Sequence, residues 1–151
     1  MERRTFVRGV ASAAFAGTLA GCTGGGSGND GPSPPAEDAN PKELLPDAPE
    51  GLTRTQSQQQ SAGMVGAEAG YSAGYDDEDG NHYAVEILRW SSKKDAKDKG
   101  SGVYSDGWSV YVVLGNFGFA AKGPDVETAK ELLANSSALT KQYVENNNLN
   151  A

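Results

Sequence analysis

The stretch Gly63-Met64-Val65-Gly66-Ala67-Glu68-Ala69-Gly70-Tyr71-Ser72-Ala73-Gly74-Tyr75 decides the fold. Val65, Ala67, Ala69, Tyr71, Ala73 and Tyr75 alternate with Met64, Gly66, Glu68, Gly70, Ser72 and Gly74. Period two over that length predicts a strand with one buried face, because successive side chains of an extended chain point to opposite sides. Its many Gly and Ala residues predict close approach of a covering element. An acidic turn follows from Asp76 to Asn81, and Tyr83-Ala84-Val85-Glu86-Ile87-Leu88-Arg89-Trp90 then predicts a second strand. The two make a long hairpin.

Downstream, Ser91 to Gly100 is polar and lysine-rich, with Ser92 placed to cap a short helix from Lys93 to Lys99. Val103-Tyr104 leads to the tight-turn dipeptide Asp106-Gly107. Trp108 to Leu114 reads as a strand, Gly115-Asn116 as a two-residue turn, and Phe117 to Lys122 as the partner strand. Gly123-Pro124 opens a helix with Pro at its first position and Asp125 and Glu127 in its first turn, as the helix dipole favours. Val126, Ala129, Leu132 and Leu133 form its apolar stripe, and Asn135 ends it. Ser136 or Ser137 caps a last helix carrying Leu139, Tyr143 and Val144, while Leu52 to Ser57 reads as an additional edge strand. These elements predict an α+β fold: a small antiparallel sheet of about four strands in two hairpins, with two or three helices packed on one face. Residues 44–145 then make a single domain of about 100 residues, enough for one core. The Asn-rich stretch 146–151 reads as a frayed, disordered tail.

The N-terminus has a different character. Arg3-Arg4-Thr5-Phe6-Val7-Arg8 precedes a weakly apolar segment from Gly9 to Thr18, and then comes Leu19-Ala20-Gly21-Cys22. A basic region, a short apolar region and a small-residue site, in that order, mark a removable signal and not a membrane span. The arginine run resembles a twin-arginine (Tat) export signal. The tetrapeptide resembles a lipobox, at which prolipoproteins are cleaved and lipidated on cysteine. Glu2, Val7 and Arg8 depart from the commonest residues of the export pattern, whereas the low hydrophobicity of the apolar region agrees with it. The resemblance implies a signal peptide over residues 1–21, a diacylglyceryl-type or palmitate lipid on Cys22, and a mature chain of 130 residues. Cys22 is the only cysteine, which leaves no intramolecular disulfide, and its glycine neighbours cannot bury it. From Cys22 to residue 43, Gly, Pro, Ser and acidic residues predict a disordered tether of roughly 25 Å end to end.

Charge narrows the partners. Cleavage would remove Glu2 and three arginines, taking 13 basic and 20 acidic residues to 10 and 19. Such an acidic surface excludes nucleic acid as a partner and opposes adhesion to anionic headgroups by charge. Together with the signal, the acidic composition resembles a haloarchaeal-type lipoprotein. That resemblance covers the targeting segment and the general composition, and it implies a lipid-anchored protein on the outer side of the cell membrane.

Several constellations invite chemistry. Gly70-Tyr71-Ser72-Ala73-Gly74 matches the serine-hydrolase pattern, but that elbow must join a strand to a helix, and here it lies inside an alternating strand. The only histidine, His82, stands across the turn from it. Asp76, Asp77 and Asp79 form a weak Ca²⁺ candidate without EF-hand spacing, more simply read as a solvated turn. One histidine and no domain cysteine exclude a structural zinc or blue-copper centre. Trp90, Trp108, Tyr104 and Tyr111 are a candidate binding surface or, more simply, core aromatics. Lys93, Lys94, Lys97 and Lys99 alternate with Asp95 and Asp98, as on a solvated helix face. The expected function is therefore an interaction or accessory module of a cell-surface complex. It would be held by the membrane through Cys22, with a membrane or cell-surface protein as partner, no cofactor and no catalysis. A small-molecule or ion-binding lipoprotein is the alternative, and a hydrolase comes third. A chain of this length cannot make a two-lobed solute receptor.

Overall fold

Five antiparallel strands form one sheet in the order β1-β2-β3-β5-β4. They are β1 (Leu52–Gln59), β2 (Ala69–Asp77), β3 (His82–Arg89), β4 (Val110–Leu114) and β5 (Phe117–Lys122). Among the described residues three α-helices accompany them: α1 (Lys93–Val103), α2 (Val126–Ala134) and α3 (Lys141–Asn147). The computed structural model describes residues 31–151. The signal residues Arg3, Arg4, Leu19, Ala20 and Gly21, together with Cys22 and the first part of the expected tether, lie outside the described residues. The fold is α+β, with the stretch read as an additional edge strand bringing the sheet to five.

The first hairpin begins later than its alternation suggests. Ala62–Val65 is a 3₁₀ turn closed by Gly66 at φ 87°, and the strand starts only at Ala69. Gly and Ala gain little from burial, so their alternation specifies a strand weakly, and a left-handed glycine lets a local turn prevail. From Tyr71 onward the pattern holds. Tyr75 pairs with Tyr83, Ala73 with Val85 and Tyr71 with Ile87, which puts all six on one face.

That face carries the larger core. Tyr75, Tyr83, Val85, Ile87, Val110, Val112, Phe117 and Phe119 pack there with Leu132, Leu133 and Val144 of α2 and α3. The opposite face carries a second core, in which Leu88, Trp90, Tyr111, Val113 and Ala120 meet Ala96 of α1 and Tyr104. Helices therefore cover both faces, where one was expected. The reason is visible in β4, whose five residues are all buried. A continuous apolar strand exposes hydrophobic surface on both sides and needs cover on both.

Local capping explains the helix limits. Ser92 accepts from Asp95 N, as expected, but α1 runs past Lys99 to Val103. Asp125, not Pro124, starts the next helix: it is the N-cap of α2 and accepts from Thr128 N, and Asn135 is the C-cap as read. Thr140 caps α3, because Ser136 is buried and donates its hydroxyl to Leu44 O at 2.6 Å.

Two segments read as disordered are docked. Within the expected tether, Asn116 donates to Glu37 O and Arg89 to Asp38 O and Ala39 O; just beyond it, Ser136 donates to Leu44 O, Tyr75 and Arg54 to Pro46 O, and Asn135 to Asp47 O. The segment turns through a 3₁₀ helix at Pro41–Leu44 that uses the Asn40 and Lys42 carbonyls, and the carbonyls on either side of it are left to accept from the domain. Composition registers its lack of apolar side chains but not these acceptors. The tail behaves likewise: Asn148 Oδ1 accepts from Tyr111 N, Leu149 N donates to Tyr111 O, and Asn150 Nδ2 donates to Tyr104 O and Trp108 O. The asparagine amides stand in for a sixth strand and cover the β4 edge.

Tyr111 joins α1 to the sheet. Its hydroxyl donates to Ala96 O at 2.6 Å, and its ring stacks on Tyr104 with centroids 4.9 Å apart. A Cβ on Gly100 of α1 or on Gly118 of β5 would fall on the end of that ring. Tyr111→Phe should lower stability by about 1 kcal/mol through the lost hydrogen bond, and Gly118→Ala by about 1–3 kcal/mol through overpacking. The double variant should be more stable than the sum of the two losses predicts, since the phenol oxygen is the atom nearest the added methyl. Urea denaturation of the four proteins measures that coupling, and simple additivity would contradict the clamp.

Candidate functional site

The second face of the sheet is covered only in part. α1 lies over β4 and β5, and beyond it the face formed by β1, β2 and β3 is polar and open. Pairing places Gln56 beside Gly74, Gln58 beside Ser72, Ser72 beside Glu86, and Ala84 beside Lys122. These residues, with His82 and Trp108, line a shallow depression of about 150 Å³.

The site is ordered by its own hydrogen bonds. Ser72 Oγ accepts from Gln60 Nε2 at 2.5 Å. His82 Nδ1 lies 2.7 Å from Asp76 Oδ1, the two residues being paired across the hairpin. Tyr104 donates its hydroxyl to Glu86 Oε1 at 2.6 Å, so the buried α1 core ends on a carboxylate that borders the depression. Lys122 Nζ stands 4.6 Å from the Trp108 ring centroid, and Trp108 meets Tyr104 edge to face at 5.1 Å. Glu86, Tyr104, Trp108 and Lys122 thus form a connected group along the depression, with His82 and Asp76 paired beside it.

The four candidate aromatics do cluster, but not as a surface. Trp90, Tyr104 and Tyr111 are fully buried, and only Trp108 reaches the depression. Their side chains fall on the face that α1 covers, and nothing in their spacing foretold that the lysine-rich helix would cover it. The acidic turn does not gather ligands either. Asp77 carboxylate oxygens accept from Asp79 N, Asn81 N and Asn81 Nδ2, while Asp76 faces His82. These bonds, Asn81's first, hold Asp77 below the usual carboxylate range. Among the described residues no three acidic, His or Cys groups converge as a metal site would require. Asp76, Asp77 and Asp79 are not brought together.

Ser72 and His82 are closer in space than the sequence suggested. The hairpin register puts both side chains on the open face, with Gly74 between them: a Cβ there would lie 2.9 Å from His82 Cε1. Even so, β2 is an interior strand, its backbone paired with β1 on one side and β3 on the other. No N–H is left beside Ser72 to meet a developing oxyanion, and the strand interior holds no strained elbow. Sequence reasoning missed Gln56, Gln58, Glu86 and Lys122. The signal for Gln56 and Gln58 was that Thr53 to Gln59 is polar at every position, a strand with no face to bury.

No family model matches the chain, and no curated protein or solved structure matches it either. The meaning of the site rests on its geometry.

Two measurements follow. Burial first, and the Glu86 charge second, push the Tyr104 phenol far above its usual value of 10.0. The folded state then holds the proton more tightly than the unfolded one, so stability stays level below about pH 10 and falls as pH rises beyond it. Tyr104→Phe should cost about 1–2 kcal/mol at neutral pH and flatten the alkaline fall, read from urea midpoints across pH 7 to about pH 11. An unchanged alkaline slope would remove Tyr104 from this role. Separately, a fluorophosphonate probe should leave the domain unlabelled, and Ser72→Ala should fold normally. Labelling of Ser72 that His82→Ala removes would make the open face catalytic.

Proposed function

We propose that this chain is a membrane-anchored extracytoplasmic lipoprotein of the haloarchaeal type. In this reading it is exported by the twin-arginine route, is lipidated on Cys22, and works as an interaction module for a partner protein at the outer face of the membrane. The observation that carries the interaction reading is the half-covered sheet face. A sheet face of this size is ordinarily covered or wholly solvated, whereas here α1 stops part-way and leaves a flat, ordered, charged surface beside an aromatic wall. Its depression holds about 150 Å³. Ligand sites for small molecules are concave and run from about 300 Å³ upward, mostly apolar. A shallow polar patch with Trp108 and Lys122 at its rim suits a protein surface better. Among the described residues no helix is long and apolar enough to cross a membrane, and attachment in this reading is through Cys22.

The reading is tested in two arms. Cys22→Ser should move the protein out of the detergent phase or leave an unprocessed precursor; a variant retained there at its mature mass would refute the anchor. A photo-crosslinker at Gln58 should give one discrete product in intact membranes, weakened at least tenfold by Lys122→Glu and absent from a control at Glu145 on α3. Equal products from both positions would refute the open face as the interface.

A further inference from the structure

We propose that Asn135 is an N-glycosylation acceptor, presented to solvent by the turn that follows α2. Asn135-Ser136-Ser137 is the one place in the chain where an asparagine is followed two positions on by serine or threonine. That spacing is the pattern for sugar transfer to an asparagine amide, with any middle residue but proline. The proposal rests on the extracytoplasmic reading above, because the pattern has this meaning only in a chain that reaches the outer side of the membrane.

The fold displays the pattern with its working groups outward. Asn135 is the C-cap of α2, and the chain turns there before α3 begins. Asn135 and Ser137 are exposed, whereas Ser136 between them is only 3% exposed. Ser136 Oγ donates to Leu44 O at 2.6 Å and accepts from Ala138 N at 3.2 Å. The side chain that the pattern leaves unread is therefore the one that fastens the turn, and the two that it reads face solvent. Asn135 Nδ2 gives one hydrogen to Asp47 O at 2.6 Å, at the surface. A primary amide carries two, so the other is left for reaction. The twin-arginine route of the proposed export carries folded cargo, and an acceptor on such a chain has to be reachable on the finished domain. Asn135 and Ser137 meet that condition.

The co-reactant is an oligosaccharide held through C1 on a polyprenyl-linked phosphate. Asn135 Nδ2 forms a bond to C1, the bond from C1 to the phosphate oxygen breaks, the amide gives up one proton, and the lipid phosphate leaves. Nothing is oxidised or reduced. Position makes the product compatible with the proposed interface. α2 and α3 pack on the larger core, so the turn lies on the side of the sheet away from the open polar face. A glycan there would cover the turn and the adjoining residues 44–47, to which Asn135 and Ser136 are bonded. Gln58, Ser72 and Lys122 would stay clear for a partner.

The full chain is expressed in a host that exports twin-arginine precursors and N-glycosylates its surface proteins. Membrane-bound protein is then analysed by intact and peptide mass spectrometry. The tryptic peptide 131–141 should carry a glycan on Asn135. Asn135→Gln and Ser137→Ala should each abolish it, and Ser137→Thr should keep it. Ser136→Ala removes the bond to Leu44 but preserves the pattern, so it should keep the glycan too. Lipidated protein of mature mass whose peptide carries no sugar overturns the acceptor while leaving the anchor intact. A glycan that survives Ser137→Ala yet disappears with Ser136→Ala also overturns it. Precursor retained inside the cell refutes the export reading, and the acceptor with it.

Discussion

The seating of one phenol ring determines much of this molecule. Tyr111 projects from β4 into the space under α1, hydrogen-bonds Ala96 O, stacks on Tyr104 and needs glycine at both positions its ring approaches, Gly100 and Gly118. Its backbone holds the chain's far end as well, since its N–H and C=O bond Asn148 and Leu149. α1 is a poor helix by propensity, with Gly100 and Gly102 near its end and lysines along its face. Tertiary packing makes it a helix: the glycine that weakens it locally is what allows the ring to fit.

The same packing sets the boundary of the open face. α1 covers the sheet as far as Tyr104, whose hydroxyl ends on Glu86, and there the apolar core gives way to Ser72, His82, Gln58 and Lys122. A buried hydroxyl needs a partner, and meeting that need with a carboxylate at the rim gives the patch a charge fixed in place by the core. Any partner of this surface would meet groups already ordered, which lowers the entropy lost on binding.

The two edges of the sheet are treated differently. The β4 edge is covered by the asparagine tail and by Tyr143, whose hydroxyl donates to Val113 O at 2.6 Å. β1 stays exposed, but its register shifts between Arg54 and Gln56, a bulge that disfavours pairing with a further strand. The N-terminal segment is then fixed by side chains from β1, β2, β3 and the turns after β4 and α2. Hence the domain begins nearer Cys22 than composition suggests, and the end at which it begins is defined.

What the sequence by itself determined was the class of fold, most strand limits after Tyr71, the Ser92 cap and the end of α2 at Asn135. Each is a local matter of two-residue alternation, turn dipeptides and capping side chains, and local geometry is written locally. Only the tertiary structure decided that α1 lies on the second face, that the aromatics become core, that Gln56, Ser72, His82, Glu86 and Lys122 share one surface, and that the proline and asparagine segments are held. Those outcomes depend on which strands pair and on which carbonyls find donors many residues away. A side chain's neighbours across a sheet are set by register, and register is a property of the assembled fold.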